Sequence, residues 1–126
     1  MNGRDKKILQ QIVKYCDEVI ATNEHFHNDE ALFKDAERGF LYRNAVSMPL
    51  LQIGELSKIL SDEFVSAHTG IPWRMMARMR DVLAHHYGGV DMNTTFSTAT
   101  TDVPEVRKQV LRILEDMDAQ QGENEL

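Results

Sequence analysis

The stretch Ile8-Leu9-Gln10-Gln11-Ile12-Val13-Lys14-Tyr15-Cys16-Asp17-Glu18-Val19-Ile20 decides the fold class. Ile8, Ile12, Tyr15 and Val19 recur at helical spacing, and Leu9, Val13, Cys16 and Ile20 repeat the pattern one position on. On a helix turning about 100° per residue the two lines merge into one wide apolar band. The spacing predicts a core-facing helix from about Arg4 to Ala21. The same period returns along the chain. Val46, Leu50, Ile53, Leu56 and Leu60 mark the later part of a second helix over about Glu30 to Leu60, with Gly39 and Pro49 inside it. Pro49 removes a backbone donor and is expected to kink or divide that helix.

Between these segments, Thr22 to Asp29 is polar and reads as a loop, and Ser61 to Gly70 as a frayed end and connector. Pro72 suits the first turn of a third helix running to about Tyr87, which Gly88-Gly89 ends. A short helix is expected around Phe96. Thr101 or Asp102 can then cap a last helix, with Pro104 in its first turn and apolar positions from Val103 to Met117. A disordered acidic tail is expected from about Gln120. No alternating strand pattern, internal repeat or splitting linker is found. The fold class is all-α: one domain over residues 1–119, built as an up-down bundle of four to five helices.

The bulk numbers narrow the function. A chain of 126 residues with 42% hydrophobic and 27% charged residues folds as one globular unit. No apolar run reaches the roughly 18 residues a membrane span needs. The polar start Met1-Asn2-Gly3-Arg4-Asp5-Lys6-Lys7 lacks a secretory apolar region, which points to the cytoplasm. The single cysteine, Cys16, excludes an internal disulfide framework and a cysteine zinc site, and among apolar neighbours it reads as a small buried hydrophobe. A net charge of −6 argues against a generic nucleic-acid coat. Yet Arg74, Arg78 and Arg80 cluster, while Glu115, Asp116, Asp118, Glu123 and Glu125 gather at the C-terminus. The cluster reads either as a local phosphate site on an acidic body or as a solvated helix face.

The segment Arg80-Asp81-Val82-Leu83-Ala84-His85-His86-Tyr87 carries the chemistry. Arginine keeps its charge and grips two phosphate oxygens in a fork, which suits a five-coordinate phosphorus transition state. Histidine is matched to proton transfer near neutral pH. Asp81 lies four residues before His85 and can orient its ring. Tyr87 offers a phenolic donor or a stacking surface. An RNA strand brings its own nucleophile, the 2′-hydroxyl, so cleavage through a cyclic phosphate needs no metal or other cofactor. Arg80 and His85, however, stand about 140° apart on a regular helix. Either the helix end unwinds, or two copies each contribute to a shared groove. A two-fold homodimer with this helix at or near its interface satisfies the second option.

Arg80, four intervening residues, His85, one residue and Tyr87 resemble the signature of the HepT-like branch of the HEPN superfamily. Gln52-Ile53-Gly54-Glu55-Leu56, Ile71-Pro72-Trp73-Arg74, Met79-Arg80-Asp81, Gly89-Val90-Asp91 and Asp102-Val103-Pro104 extend the likeness in order over roughly Phe33 to Leu114. The resemblance implies a small all-α homodimer acting as a metal-independent ribonuclease toxin. Its implied partner is a minimal nucleotidyltransferase antitoxin that adds AMP to the motif tyrosine. Arg80 and His85 would then be catalytic, Tyr87 the AMPylated residue, and Asp81 and Glu55 supporting groups. Asp81 stands where the family often has Asn, and Phe96 where a Trp is common. His86 falls at a variable position and is not assigned a catalytic role. Glu55 reads either as an exposed carboxylate or as an acceptor bracing Arg80 or the dimer groove.

Other features read as structural. His25 and His27 lack a third metal ligand nearby. Met48, Met75, Met76 and Met79 read as core and interface filler, and Trp73 as a packing anchor. No glycine-rich phosphate loop or nucleotidyltransferase acidic motif is present, so the chain would receive a transferred nucleotide and not donate it. The expected function is endoribonuclease toxin. The alternative is a non-catalytic nucleotide- or protein-binding subunit of a nucleotidyltransferase complex, with a purely structural dimerisation domain as a third reading.

Overall fold

A computed structural model describes residues 3–85 and 91–125, with His85 and residues 123–125 as backbone only. Among the described residues all regular structure is helical. The order is α1 (Gly3–His25), α2 (Glu30–Lys34), α3 (Phe40–Ile59), α4 (Asp62–Ala67), α5 (Trp73–His85), α6 (Met92–Ser97), a π-helical turn (Thr98–Asp102) and α7 (Val103–Glu125). The long helices α1, α3, α5 and α7 make the bundle, with α3 packed between α1 and α5 and α7 on the other side of α1.

Neighbouring long helices run antiparallel. Asp5 at the start of α1 accepts from the backbone N–H and hydroxyl of Ser61 just past α3, at 3.0 and 2.6 Å. At the other end, Asn23 meets Tyr42 near the start of α3. The band read from the sequence forms the centre: Leu9, Ile12, Cys16 and Val19 are fully buried against Tyr42, Val46, Ile53, Val103 and Val110. Burial pushes the Cys16 thiol up to about 12, so it behaves as an apolar group and not a nucleophile.

Several sequence boundaries move, each for a local reason. α1 continues to His25, so the loop begins at Phe26. Its turn passes through His27 and Asn28 with φ of 58° and 51°. The expected 30–60 helix is divided, but not at Pro49, which α3 carries inside it. The break lies at 35–39, where the Asp35 carboxylate accepts from the N–H groups of Glu37 and Arg38 and ends α2. Arg43 donates to the carbonyls of Phe33 and Asp35 at 2.6 and 2.8 Å, holding α2 against α3. The 61–70 connector contains α4, capped by the Ser61 side chain on the Phe64 N–H. Trp73 is the anchor expected, packed on Phe64 with its indole N–H on the His68 carbonyl at 3.0 Å. α7 runs past Gln120 to Glu125.

The approach to α7 differs most. Neither Thr101 nor Asp102 caps a new helix, because the chain stays helical through the π turn. Pro104 explains this. In an α register its ring would meet the Thr100 carbonyl. The wider turn instead sends the Val103 N–H to the Thr98 carbonyl. That leaves the Ala99 carbonyl with no donor: Val103 is engaged elsewhere and Pro104 has no N–H. Asn23 supplies one, its Nδ2 donating to Ala99 O at 3.0 Å while its Oδ1 accepts from the Tyr42 hydroxyl at 2.7 Å. All three residues are buried. Asn23→Ala orphans both partners and is expected to lower unfolding stability by about 2 kcal/mol. Tyr42→Phe, which leaves the Asn23–Ala99 bond in place, is expected to cost less. Urea titration of the two variants checks the order.

Candidate active site

Gly54 and Arg80 set the geometry. At Gly54 α3 and α5 are nearly in backbone contact: a methyl group there would overlap the Arg80 Cβ and come within 2.5 Å of the Met76 carbonyl oxygen. Glycine is thus the residue that lets the two helices close. The closure places the Arg80 side chain beside Glu55, the next residue on α3.

Arg80 Nε lies 2.7 Å from Glu55 Oε2, and Arg80 Nη1 donates to Asp81 Oδ1 at 3.2 Å. The first contact is a close ion pair without the alignment of a hydrogen bond, and both of its atoms are shielded from solvent. The Arg80 side chain as a whole keeps 25% of its surface exposed, so it sits at the rim of the helix pair and an anion can reach it. Asp81 Oδ1 also accepts from Lys58 Nζ at 2.7 Å. The Lys58 bond, then that of Arg80, holds the Asp81 carboxyl below the usual carboxylate range. Because that pKa is lowered, these contacts are fully formed at neutral pH. They dissolve only as pH falls through a value under the ordinary aspartate pKa of about 3.9.

The cluster holds two cations, Lys58 and Arg80, and two carboxylates, Glu55 and Asp81. The carboxylates orient the guanidinium and partly neutralise it. Lys58 and Gly54 were not singled out from the sequence as members of this group. The available signal was the spacing on α3, where Gly54, Glu55 and Lys58 fall within one and a half turns.

The remaining candidates are distributed as follows. His85 is the last described position of α5, and its side chain lies outside the described residues, so the expected Asp81–His85 contact and the expected helix end near Tyr87 do too. His86, Tyr87, Gly88 and Gly89 also lie outside them. α5 stays helical from Trp73 to His85, which keeps Arg80 and the His85 position about 140° apart. Unwinding before His85 is therefore not how one subunit would bring them together. Among the described residues no group of three or more His, Cys, Asp or Glu is placed to hold a metal, His25 and His27 included. No helix there is long and apolar enough to cross a membrane.

Comparison with known proteins gives the context. Residues 7–113 match the family described as Ribonuclease HepT-like. A protein of Methanocaldococcus jannaschii named as a candidate RNase is 32% identical over 127 residues, covering 100% of both chains. A candidate HepT ribonuclease of Thermococcus cleftensis is 46% identical over 63 residues, 50% of this chain and 57% of that one. A longer Methanocaldococcus jannaschii protein, named as a gamma-glutamylcyclotransferase and candidate RNase, is 37% identical over 76 residues. That match covers 60% of this chain and 34% of that protein. No solved structure gives a significant match.

Proposed function

Because this chain belongs to the HepT-like ribonuclease family, we propose that it is an endoribonuclease cleaving single-stranded RNA without a metal, through Arg80 of one subunit and His85 of another. The observation that carries the reading is Arg80 at the α3–α5 rim: Glu55 and Asp81 hold its guanidinium, and its side chain keeps a quarter of its surface exposed. In that position it can take the charge that builds on a scissile phosphate as the 2′-oxygen attacks. His85 would remove the 2′-hydroxyl proton, or deliver one to the departing 5′-oxygen. Unstacked strands and loops present both groups openly, which favours them over duplex RNA.

The 140° separation is the reason for two subunits. A surface suited to the second copy leads to the site: on α3, Leu41 and Met48 are each 62% exposed and share a meridian with Glu55 and Ile59. A cavity of about 240 Å³ between Met48, Leu51 and Leu83 adjoins the stripe. A copy of the chain docked there would bring its own α5 toward Arg80. Met48→Glu is accordingly expected to shift the protein to monomer in light scattering and to abolish cleavage.

The sharper test mixes inactive variants. Arg80→Ala and His85→Ala should each fail to cleave RNA in EDTA. Co-refolded, half the dimers carry one intact composite site, and about a quarter of wild-type activity should return. No return would place both residues in one subunit. A wild-type protein that binds RNA but leaves it whole would favour a binding subunit over a nuclease.

In the cell the reading extends to a toxin neutralised by a small nucleotidyltransferase that adds AMP to Tyr87. An added AMP would place a bulky anion two residues beyond His85, blocking the substrate and competing for Arg80. Intact mass after co-expression with such an enzyme tests this: a gain of AMP units in wild type and none in Tyr87→Phe.

A further inference from the structure

The outer face of α5 carries groups that the cleavage chemistry leaves unused. Arg74, Arg78 and the His85 position fall within about 40° of one another around the helix, on the side turned from Gly54. Arg74 and Arg78 are exposed, and neither forms an ion pair or hydrogen bond with a described residue. Lys6, Lys34, Lys58, Arg80 and Arg107 are paired with carboxylates, whereas Arg74 and Arg78, like Lys7, Lys108 and Arg112, have no carboxylate partner among the described residues. Asp91, across from Arg78, is already engaged: its side chain accepts from the N–H groups of Asn93 and Thr94 and from the Thr94 hydroxyl. Those bonds hold its carboxyl below the usual range.

Beside Arg78 lies a cavity of about 350 Å³ between α5 and α6. Met75, Met79 and Val82 make its wall, and Arg78, Asp91, Thr94 and Thr95 its polar edge. This is the size of a small-molecule site. Thioether and aliphatic walls accept the flat face of a ring. The two threonine hydroxyls donate to Asp91 and keep lone pairs that can accept from an amino group.

We propose that this face is a subsite for the RNA strand next to the scissile phosphate, with one unstacked base in the α5–α6 cavity, its phosphate on Arg78 and a neighbouring phosphate on Arg74. The proposal rests on the ribonuclease reading and adds the substrate's path. α5 rises about 1.5 Å per residue, so Arg74 and Arg78 stand about 6 Å apart and Arg78 about 10 Å from the His85 position. A single strand laid along the helix would therefore reach the His85 end within one or two nucleotides of its phosphate contacts. Arginine forks grip such oxygens without reading sequence, while the base pocket demands an unpaired strand.

The test uses the full chain and a 2′-O-methylated single-stranded RNA, which lacks the nucleophile and reports binding alone. Arg74→Gln/Arg78→Gln, altered only at exposed positions, should make the log–log salt dependence of binding shallower by about 1.4, the loss of two single-strand phosphate contacts. On cleavable RNA its KM should rise on the order of tenfold with kcat within about twofold. Val82→Phe, which fills the cavity, should weaken binding on the order of tenfold with the salt slope unchanged. An unchanged slope and KM in the double variant would overturn the phosphate track. Wild-type affinity in folded Val82→Phe would overturn the base seat. Wild type that binds the strand but cleaves nothing would remove the nuclease reading while leaving the subsite to be judged by the slope, and wild type that binds no RNA would remove both.

Discussion

Gly54→Ala should lower the melting temperature by roughly 8 °C, corresponding to about 2 kcal/mol. Helix propensity alone gives the opposite sign, since alanine is favoured over glycine within a helix by about 1 kcal/mol. Contact reverses it. The added methyl would overlap the Arg80 Cβ and sit 2.5 Å from the Met76 carbonyl, which belongs to helical backbone and cannot rotate aside. α5 must move away as a unit, and Arg80 moves with it. A displacement near 1 Å at a reacting group can cost on the order of 100-fold in rate, so cleavage should fall far more than stability does. Gly122 provides the control, because nothing lies within 4 Å of the position its methyl would take. Gly122→Ala should leave the melting temperature level or slightly raised. If Gly54→Ala behaved the same way by calorimetry, the tight α3–α5 crossing would be wrong.

Arg80→Lys should lose on the order of 100- to 1,000-fold in single-turnover cleavage while remaining folded. Lysine retains the charge, but its single ammonium cannot face Glu55 along one edge and Asp81 along another. It also cannot fork onto two phosphate oxygens. Stability should change by less than about 1 kcal/mol, because the partners are half exposed and such pairs are individually weak. Glu55→Gln keeps the shape and drops one orienting charge, so a smaller loss, on the order of tenfold, is expected. Retention of wild-type rate by Arg80→Lys would show that a point charge suffices and that the fork is not used. Retention by Arg80→Ala would remove the guanidinium from the reaction altogether.

The helical class and the central band were legible because burial on a helix writes a period into the sequence. Leu9, Ile12, Cys16 and Val19 stand where that period places them. Helix ends were less legible, since they depend on local hydrogen bonds that several polar residues can supply. Asp35 stops α2, whereas Pro49, the stronger breaker by propensity, sits undisturbed within α3. The π turn before Pro104 depends on a donor from Asn23, 76 residues earlier in the chain, and no local window contains both.

The sequence by itself determined an all-α chain of the HepT-like family. It also placed Arg80, Asp81 and the His85 position on one helix, because periodicity and motif spacing are properties of consecutive residues. Only the tertiary structure decided that Gly54 opens the way for α5, that Glu55 flanks Arg80, and that Lys58 shares Asp81 with it. Those contacts join residues more than 20 positions apart, and their distances are fixed by how closely two helices pack, which no spacing within either helix records.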